Sequence, residues 1–220
     1  YKWWENPFYG IGLKIYDWLA GKEGIGNSKI LSKKETVQLL PVISQKDLRG
    51  GILYYDAQFD DTRLLINMMQ TAKELGATIL NYHEFLSFTK TKDGTLDGGK
   101  INDARNQKQY NVKAKAIVNA TGVFSDSIRN MNKSTVSKII TSSQGVHIVL
   151  DKHFLPGDTA VMIPKTDDGR VLFAIPWNNK VIIGTTDTPV KEYSYEPMPQ
   201  KEEIDVLLTH TAKYFVKAPT

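Results

Sequence analysis

The 220-residue sequence contains no cysteine. This absence excludes disulfide bridges, thiolate metal sites, cysteine nucleophiles and CxxC redox motifs. Arginine is also scarce, because only five of the 28 basic residues are arginine. The planar guanidinium group of arginine binds phosphate through two parallel hydrogen bonds. A sequence with so few arginines is therefore poorly suited to bind a phosphorylated substrate by itself. The five are Arg49, Arg63, Arg105, Arg129 and Arg170.

Several sequence signals for other function classes are missing as well. No apolar run reaches roughly 18 residues, the length that a transmembrane helix needs, and no leader pattern predicts a signal peptide. The net charge of +4 comes from scattered lysines and predicts no nucleic-acid partner. There is no GxGxxG, Walker A, HExxH or GxSxG motif. No metal site is predicted.

The first twenty residues are rich in aromatic side chains. An amphipathic helix is expected over residues 10–20, ending at Gly21. Its aromatic side chains suit either a protein core or the interface of a membrane, where Trp and Tyr are enriched. Both interpretations stay open for this segment, whose aromatic residues are Tyr1, Trp3, Trp4, Phe8, Tyr9, Tyr16 and Trp18.

Residues 51–135 have an α/β pattern. A β-rich stretch at 51–59 precedes Asp60 and Asp61, which are interpreted as helix caps rather than as an acid–base pair. Apolar residues at helical spacing follow, and Gly76 ends the helix. A strand at 77–82 would complete a βαβ unit with a parallel sheet. Hairpin signals at 93–94 and 97–99, with a strand at 112–118, predict an inserted meander.

The last third of the sequence predicts an antiparallel sheet followed by a helix. Strands are expected at 145–150, 161–164, 171–177 and 181–186, with a tight turn at Asn178-Asn179 and a helix over 201–216. The fold class is therefore α/β plus α+β. Three domains are expected: a helical aromatic segment (1–50), a partial α/β domain (51–135) and an antiparallel domain (136–220), to which the first segment is joined.

Three local patterns could carry chemistry. A predicted strand ends in the small residues Ala120, Thr121 and Gly122, which allow a ligand close to the backbone at a sheet edge. A plain junction between strand and turn explains the same residues. His147 shares a strand face with Val149 and could be a base or a structural residue. Gly184 would let a ligand approach its strand, or it belongs to an ordinary hairpin.

Five segments, in this order, resemble the FAD-dependent glycerol-3-phosphate dehydrogenases: residues 54–77, AIVNATGVFSD, SQGVHIVL, DDGRVLFAIPW and IIGTTDTP. The resemblance covers nearly the whole chain. It implies a partial Rossmann-like FAD domain and an antiparallel substrate domain. It also implies oxidation of sn-glycerol 3-phosphate to dihydroxyacetone phosphate by hydride transfer to FAD, with quinone or oxygen as the electron acceptor. Because the family's GxGxxG segment and phosphate-binding arginines are missing, an internal fragment that is inactive by itself is expected.

The resemblance also implies positions for the site. Gln144 stands where the family often has a basic residue, so no phosphate-binding role is assigned to it. The cofactor-side positions are Glu84, Phe85, Ala120, Thr121 and Gly122. The substrate-side candidates are His147, Arg170, Trp177 and Thr185.

Two alternatives remain beside this interpretation. One is an amine or amino-acid oxidase of the same flavoenzyme superfamily, and the other is a non-catalytic domain that docks on membranes through the aromatic first residues. The expected location is the cytoplasm. A peripheral position at the inner face of the cytoplasmic membrane is the second option.

Overall fold

The computed structural model describes residues 5–133, 135–166, 169–217 and 219. The chain forms two compact units. The first combines Tyr1–Ala57 with Ser143–Thr220, and the second is Gln58–Ser142. Residues 51–57 thus belong to the first unit, and residues 136–142 belong to the second. Of the residues singled out above, Tyr1, Trp3, Trp4, Asp167 and Asp168 lie outside the described residues.

The N-terminal part of the first unit holds two helices and a strand pair. Helix α1 is Glu5–Ala20, β1 is Lys29–Ser32, α2 is Lys33–Leu39 and β2 is Gly50–Leu53. Strands β1 and β2 pair in antiparallel fashion. Ser32 and Glu35 form a capping box, because the Glu35 carboxylate accepts from Ser32 N at 2.8 Å while Ser32 Oγ accepts from Glu35 N at 3.3 Å. The helix predicted over residues 10–20 is confirmed, and it begins earlier, at Glu5.

The second unit contains a helix, a three-stranded meander and a short helix. Helix α3 is Asp61–Glu74, β3 is His83–Lys90, β4 is Leu96–Asp103, β5 is Lys108–Lys113 and α4 is Ser125–Asn132. The sheet order is β3-β4-β5, and both pairings are antiparallel. The predicted cap is confirmed, since Asp60 Oδ1 accepts from Arg63 N at 2.8 Å.

The mixed fold class is confirmed. The prediction of a parallel sheet in a βαβ unit is wrong, because all strand pairs among the described residues are antiparallel. Residues 77–82 form no strand, and the strand predicted at 112–118 ends at Lys113. A strand requires a neighbour to complete its hydrogen bonds. Neither segment has such a neighbour within the described ranges, and Leu80 and Val118 are exposed.

A second correction concerns the hairpin predicted at residues 97–99. These residues lie inside β4, where a Cβ atom on Gly99 would stand 2.2 Å from Phe85 Cε2. The glycine therefore serves cross-strand packing and not a turn. The turn itself is at Asp93-Gly94, where Gly94 has a φ of +87° and donates to Thr91 O at 3.0 Å.

The C-terminal part of the first unit is a four-stranded antiparallel sheet with a helix. The elements are β6 (Ser143–Gln144), β7 (His147–Asp151), β8 (Val161–Ile163), β9 (Leu172–Trp177), β10 (Lys180–Gly184), β11 (Thr188–Pro189) and α5 (Lys201–Tyr214). The sheet order is β7-β10-β9-β8, and β6 pairs separately with β11. Asn178 and Asn179 both have positive φ, as a two-residue hairpin turn requires.

The core of the first unit lies between this sheet and α5. Its most deeply buried apolar side chains are Leu155, Val181, Ile183 and Leu207. His147 and Val149 share one face of β7, as predicted, and burial alternates along the strand so that this face is the exposed one. Within the described ranges, no helix is both long and apolar enough to cross a bilayer.

Candidate functional site

His147 lies at one end of the four-stranded sheet, on the exposed face of β7. It pairs with Gly184 of β10, and its ring covers that glycine: a Cβ at position 184 would stand 2.3 Å from His147 Cδ2. Gly184 therefore makes room for the imidazole of the neighbouring strand, and not for a ligand as its sequence context suggested.

Two further substrate-side candidates lie at the same end of the sheet. Thr185 directly follows β10, and Arg170 precedes β9, whose Phe173 pairs with Gly184. Thr185 and Arg170 line a common cavity of about 10 Å³, which has room for about one water molecule. His210 and Thr166 complete its polar lining.

The fourth candidate, Trp177, lies at the opposite end of the sheet. It pairs with Lys180, at the turn that joins β9 to β10, whereas His147 pairs with Gly184 at the other end of β10. At about 3.3 Å per residue, the four-residue separation corresponds to about 13 Å along the strand. The structure therefore places Thr185 beside Arg170 in one cavity and directly after Gly184, which the His147 ring covers. His147 itself does not line that cavity, and Trp177 lies apart from all three.

A buried carboxylate forms hydrogen bonds with the segment before His147 and with the segment after Thr185. Glu203, in the first turn of α5, is only 3% exposed. Its Oε2 accepts from Gln200 N at 2.9 Å and from Gln144 Nε2 at 2.8 Å, and its Oε1 accepts from Thr186 Oγ1 at 3.3 Å. Thr186 Oγ1 in turn accepts from Val146 N at 3.0 Å. The carboxylate thus links α5 to the segments before His147 and after Thr185.

The hydrogen bonds keep Glu203 charged despite its burial. Burial raises the pKa of this carboxyl, but hydrogen bonds from Gln200 N, Thr188, Gln144 and Thr186 together lower the pKa by more. The net pKa lies below the ordinary value of 4.5. Glu203 is therefore an anion at neutral pH, suited to anchoring structure and not to proton transfer.

The cofactor-side positions 120–122 form an exposed turn in the second unit. The side chain of Asn119 organises this turn, because its Oδ1 accepts from Thr121 Oγ1 at 2.7 Å and its Nδ2 donates to Ser125 O at 3.0 Å. Gly122 has a φ of +56°, and nothing lies within 4 Å of where its Cβ would stand. A flat or phosphorylated ligand can therefore come close to this backbone, which fits a dinucleotide.

A second buried carboxylate supports the turn. Asp126 Oδ2 accepts from Ile139 N and Ile140 N, both at 3.0 Å, and its Oδ1 accepts from Arg129 Nη1 at 2.5 Å. The hydrogen bond from Ile140 N, with those from Arg129 and Ile139, outweighs burial and lowers the pKa of Asp126 below its ordinary value. The start of α4 is thereby joined to residues 139–140.

Glu84 and Phe85 lie near the start of β3. Glu84 is exposed, whereas the ring of Phe85 is half-buried against Gly99 and contacts Phe88 edge-to-face at 4.8 Å. The Phe85 ring thus packs against other residues of the sheet in the second unit. A ligand at this position would contact the backbone or the side chain of Glu84.

Sequence reasoning missed three residues that shape these sites. Glu203 could have been noticed as the fourth residue of a Gln200-x-x-Glu203 capping box. The neighbouring sequence, however, does not predict that its side chain is buried. Asn119 stands one residue before the small-residue turn, and its role depends on side-chain hydrogen bonds. Asp126 lies within the quoted AIVNATGVFSD segment, yet its partners come from residues 139–140.

Comparison with known proteins gives a family and close relatives. A family model described as FAD dependent oxidoreductase matches residues 10–220. A protein of Schizosaccharomyces pombe named mitochondrial glycerol-3-phosphate dehydrogenase is 38% identical over 225 residues, covering 98% of this chain and 35% of that protein. The human protein of the same name is 36% identical over 219 residues, covering 97% and 30%. The chain thus spans about a third of the length of these curated relatives.

Solved structures give a consistent result. A glycerol-3-phosphate dehydrogenase from Bacillus halodurans, complexed with FAD, matches with a TM-score of 0.81 and 33% identity, over 87% of this chain and 38% of that one. A glycine oxidase from Bacillus cereus matches with a TM-score of 0.65 at 18% identity, over 96% and 54%. The second likeness shows the fold alone.

We expect Gly184→Ala to move the His147 ring while leaving the sheet folded. The new methyl group would overlap the imidazole, which lies on the exposed face and can rotate away. The imidazole NMR signals of His147, identified by their loss in His147→Gln, should shift, and the free energy of unfolding should change by no more than about 1 kcal/mol. Gly24→Ala, where the Cβ makes only ordinary contacts, is the control. Unshifted His147 signals in Gly184→Ala would contradict the packing described.

Proposed function

The chain belongs to the family of FAD-dependent oxidoreductases, and on that premise we propose that it acts in a flavoenzyme that oxidises sn-glycerol 3-phosphate to dihydroxyacetone phosphate. The observation that carries this proposal is the 33% identity and the close structural match to a glycerol-3-phosphate dehydrogenase complexed with FAD. Proteins of the same name match nearly the whole chain. The alternative of an amino-acid oxidase has only a fold-level likeness in its favour.

On the cofactor side, we propose that the second unit holds FAD at the turn of residues 120–122, with the backbone near Glu84 and Phe85 beside its adenosine part. The open space at Gly122 and the exposed Thr121 hydroxyl support this assignment. Thr121 already donates its hydroxyl hydrogen to Asn119, so it offers a ligand a hydrogen-bond acceptor. Bound FAD would accept the hydride from C2 of the substrate and pass the electrons to a quinone or to oxygen.

On the substrate side, we propose that the sheet end with His147, Arg170 and Thr185 faces the substrate. Their shared position supports this role, whereas Trp177, about 13 Å along the strand, serves the hairpin. Arg170 is the candidate of the three that carries a permanent positive charge, which suits a phosphate. The ring nitrogens of His147 have no hydrogen-bond partner among the described residues, so they can bind a substrate hydroxyl.

The reaction is tested by anaerobic titration of the complete gene product that carries this sequence. We expect sn-glycerol 3-phosphate to bleach the visible flavin absorbance with one dihydroxyacetone phosphate formed per flavin. The enantiomer sn-glycerol 1-phosphate is the matched control and should not bleach it. Bleaching by glycine or another amino acid, without bleaching by glycerol 3-phosphate, would favour the oxidase alternative. Absence of flavin from the purified protein would contradict both.

The cofactor position is tested by Gly122→Val in the same protein. A valine there would be strained at positive φ and would fill the space left for the ligand. We expect the flavin-to-protein ratio to fall several-fold. Gly94→Val is a matched control, because Gly94 also has positive φ and open surroundings but lies in the β3–β4 turn. Equal flavin loss in the two variants would count against the assignment.

A second function is favoured by the exposed face of α1, and we propose that this face contacts a phospholipid surface. Ile11 is 64% exposed and Trp18 is 78% exposed, and with Phe8 and Ile15 they recur at spacings of three and four residues. Ile11, Ile15 and Trp18 line an apolar groove of about 430 Å³. The exposed Trp18 and the following Lys22 match the Trp and Lys content of helices that lie in a membrane interface.

The location inferred from the sequence, peripheral at the inner face of the cytoplasmic membrane, is part of this second proposal. The eukaryotic relatives are named mitochondrial. A cytoplasmic and a mitochondrial membrane both present an interface in which the apolar face of an amphipathic helix can lie.

Vesicle co-sedimentation tests the membrane surface. We expect the double variant Ile11→Ser/Trp18→Ser to lower binding to mixed phosphatidylcholine–phosphatidylglycerol vesicles on the order of 100-fold, since each buried side chain contributes about 1.5 kcal/mol or more. Val149→Ser/Tyr195→Ser is the control, because these residues are 62% and 84% exposed and lie elsewhere on the same unit. Unchanged binding of the first variant, or equal loss in both, would overturn the assignment.

A further inference from the structure

Every hydrogen-bond partner found for Glu203 is a donor. They are the backbone N–H of Gln200, the side-chain amide of Gln144 and the hydroxyls of Thr186 and Thr188. A carboxylate has only acceptor sites, so it satisfies all of them, whereas an amide of the same size would place its own NH₂ against donors. The site therefore requires a carboxylate, which a simple helix cap would not.

The network extends beyond the cap to the strand that carries His147. A capping box alone needs only the contact to Gln200 N. Gln144 and Thr186, however, lie 59 and 17 residues away in sequence. Thr186 donates to Glu203 and accepts from Val146 N, the residue directly before His147. Glu203 thus holds the side chain of Gln144 directly and the backbone of Val146 through Thr186.

The segment between these two points has little freedom to move. A Cβ at Gly145 would stand 2.6 Å from Thr185 Oγ1 and 2.8 Å from Thr186 O, so its backbone is packed tightly against residues 185–186. The His147 ring in turn lies on Gly184. Since no described residue hydrogen-bonds to that ring, its position depends on the backbone of residues 144–147 and on the contact with Gly184.

We propose that Glu203 is a positioning residue that, through Gln144 and Thr186, fixes the backbone from residue 144 to His147 and thereby the place of the imidazole at the substrate side. The link to substrate rests on the proposed function above. Glu203 does not touch substrate in this role: it is buried and its oxygens are occupied by the four donors.

The first test replaces Glu203 by an amide of equal size. In Glu203→Gln, the imidazole NMR signals of His147 in the 220-residue chain should shift, because Thr186 and Gln144 must rearrange. In the complete gene product, kcat/KM for sn-glycerol 3-phosphate should fall between about 10- and 100-fold, as a small misplacement of a site group produces. The matched control is Glu202→Gln, which makes the same charge change on the exposed neighbouring residue and should alter neither.

A second pair of variants decides the question if Glu203→Gln does not fold. Thr186→Val keeps the shape of residue 186 but removes the hydroxyl that joins Glu203 to Val146 N, whereas Thr186→Ser keeps the hydroxyl. We expect the His147 signals and kcat/KM to change in Thr186→Val and to be preserved in Thr186→Ser. A purely structural role would lower stability in Thr186→Val and leave the His147 signals of the folded protein in place.

The outcomes separate this inference from the proposed function. Unshifted His147 signals in the folded Glu203→Gln or Thr186→Val chain would overturn the positioning role, whatever the enzyme oxidises. Shifted signals in both, in a gene product that does not oxidise sn-glycerol 3-phosphate, would support the positioning of His147 and refute the substrate.

Discussion

The carboxylate of Glu203 is the interaction that joins helix α5 to strand β6 and to the segment between β10 and β11. A buried charge is tolerated only when hydrogen bonds replace the lost water, and here the donors come from separate segments: the N-cap of α5, strand β6 and the residues around β11. To satisfy the carboxylate, these segments must meet at one point. That point lies at the end of the sheet where His147 and Thr185 stand, so the same constraint that folds the segments together also builds the candidate site.

The second unit uses the same physical solution. Asp126 occupies the first turn of α4, is buried, and accepts hydrogen bonds from the backbone of residues 139–140. The pKa of Asp126 and the pKa of Glu203 both lie below their ordinary values of 3.8 and 4.5. Each carboxylate therefore contributes stability that is fully present above the ordinary pKa and is lost as the pH falls through the lower value of the folded state. In each unit, one anion at a helix start fixes residues next to the proposed ligand site.

The sequence predicted local structure well and long-range contacts poorly. The Asp60 cap, the turn at Asn178-Asn179 and the alternation at His147 and Val149 depend on neighbours a few residues away, and all three are confirmed. The hairpin predicted at 97–99 was wrong because the sequence does not distinguish a glycine that makes room for the Phe85 ring from a glycine that forms a turn. The strand predicted at 77–82 failed because strand formation depends on a partner, which periodicity does not reveal. Glu203 was missed because its burial depends on Gln144, 59 residues away.

Gln144 shows how this network changes the meaning of a departure from the family pattern. The family resemblance implies a basic residue at this position, so the glutamine suggests a lost phosphate ligand. In the structure, however, its amide nitrogen donates to Glu203 at 2.8 Å and to Met198 O at 2.9 Å. A lysine or arginine there could supply a donor to the same carboxylate and would also neutralise it. Compared with a basic residue, Gln144 therefore leaves the charge of the Glu203 carboxylate unneutralised but still donates a hydrogen bond to it. Because the amide hydrogen bonds of Gln144 are already used within the protein, this side chain is not available to a phosphate. Among the substrate-side residues that we propose, Arg170 is the one with a permanent positive charge.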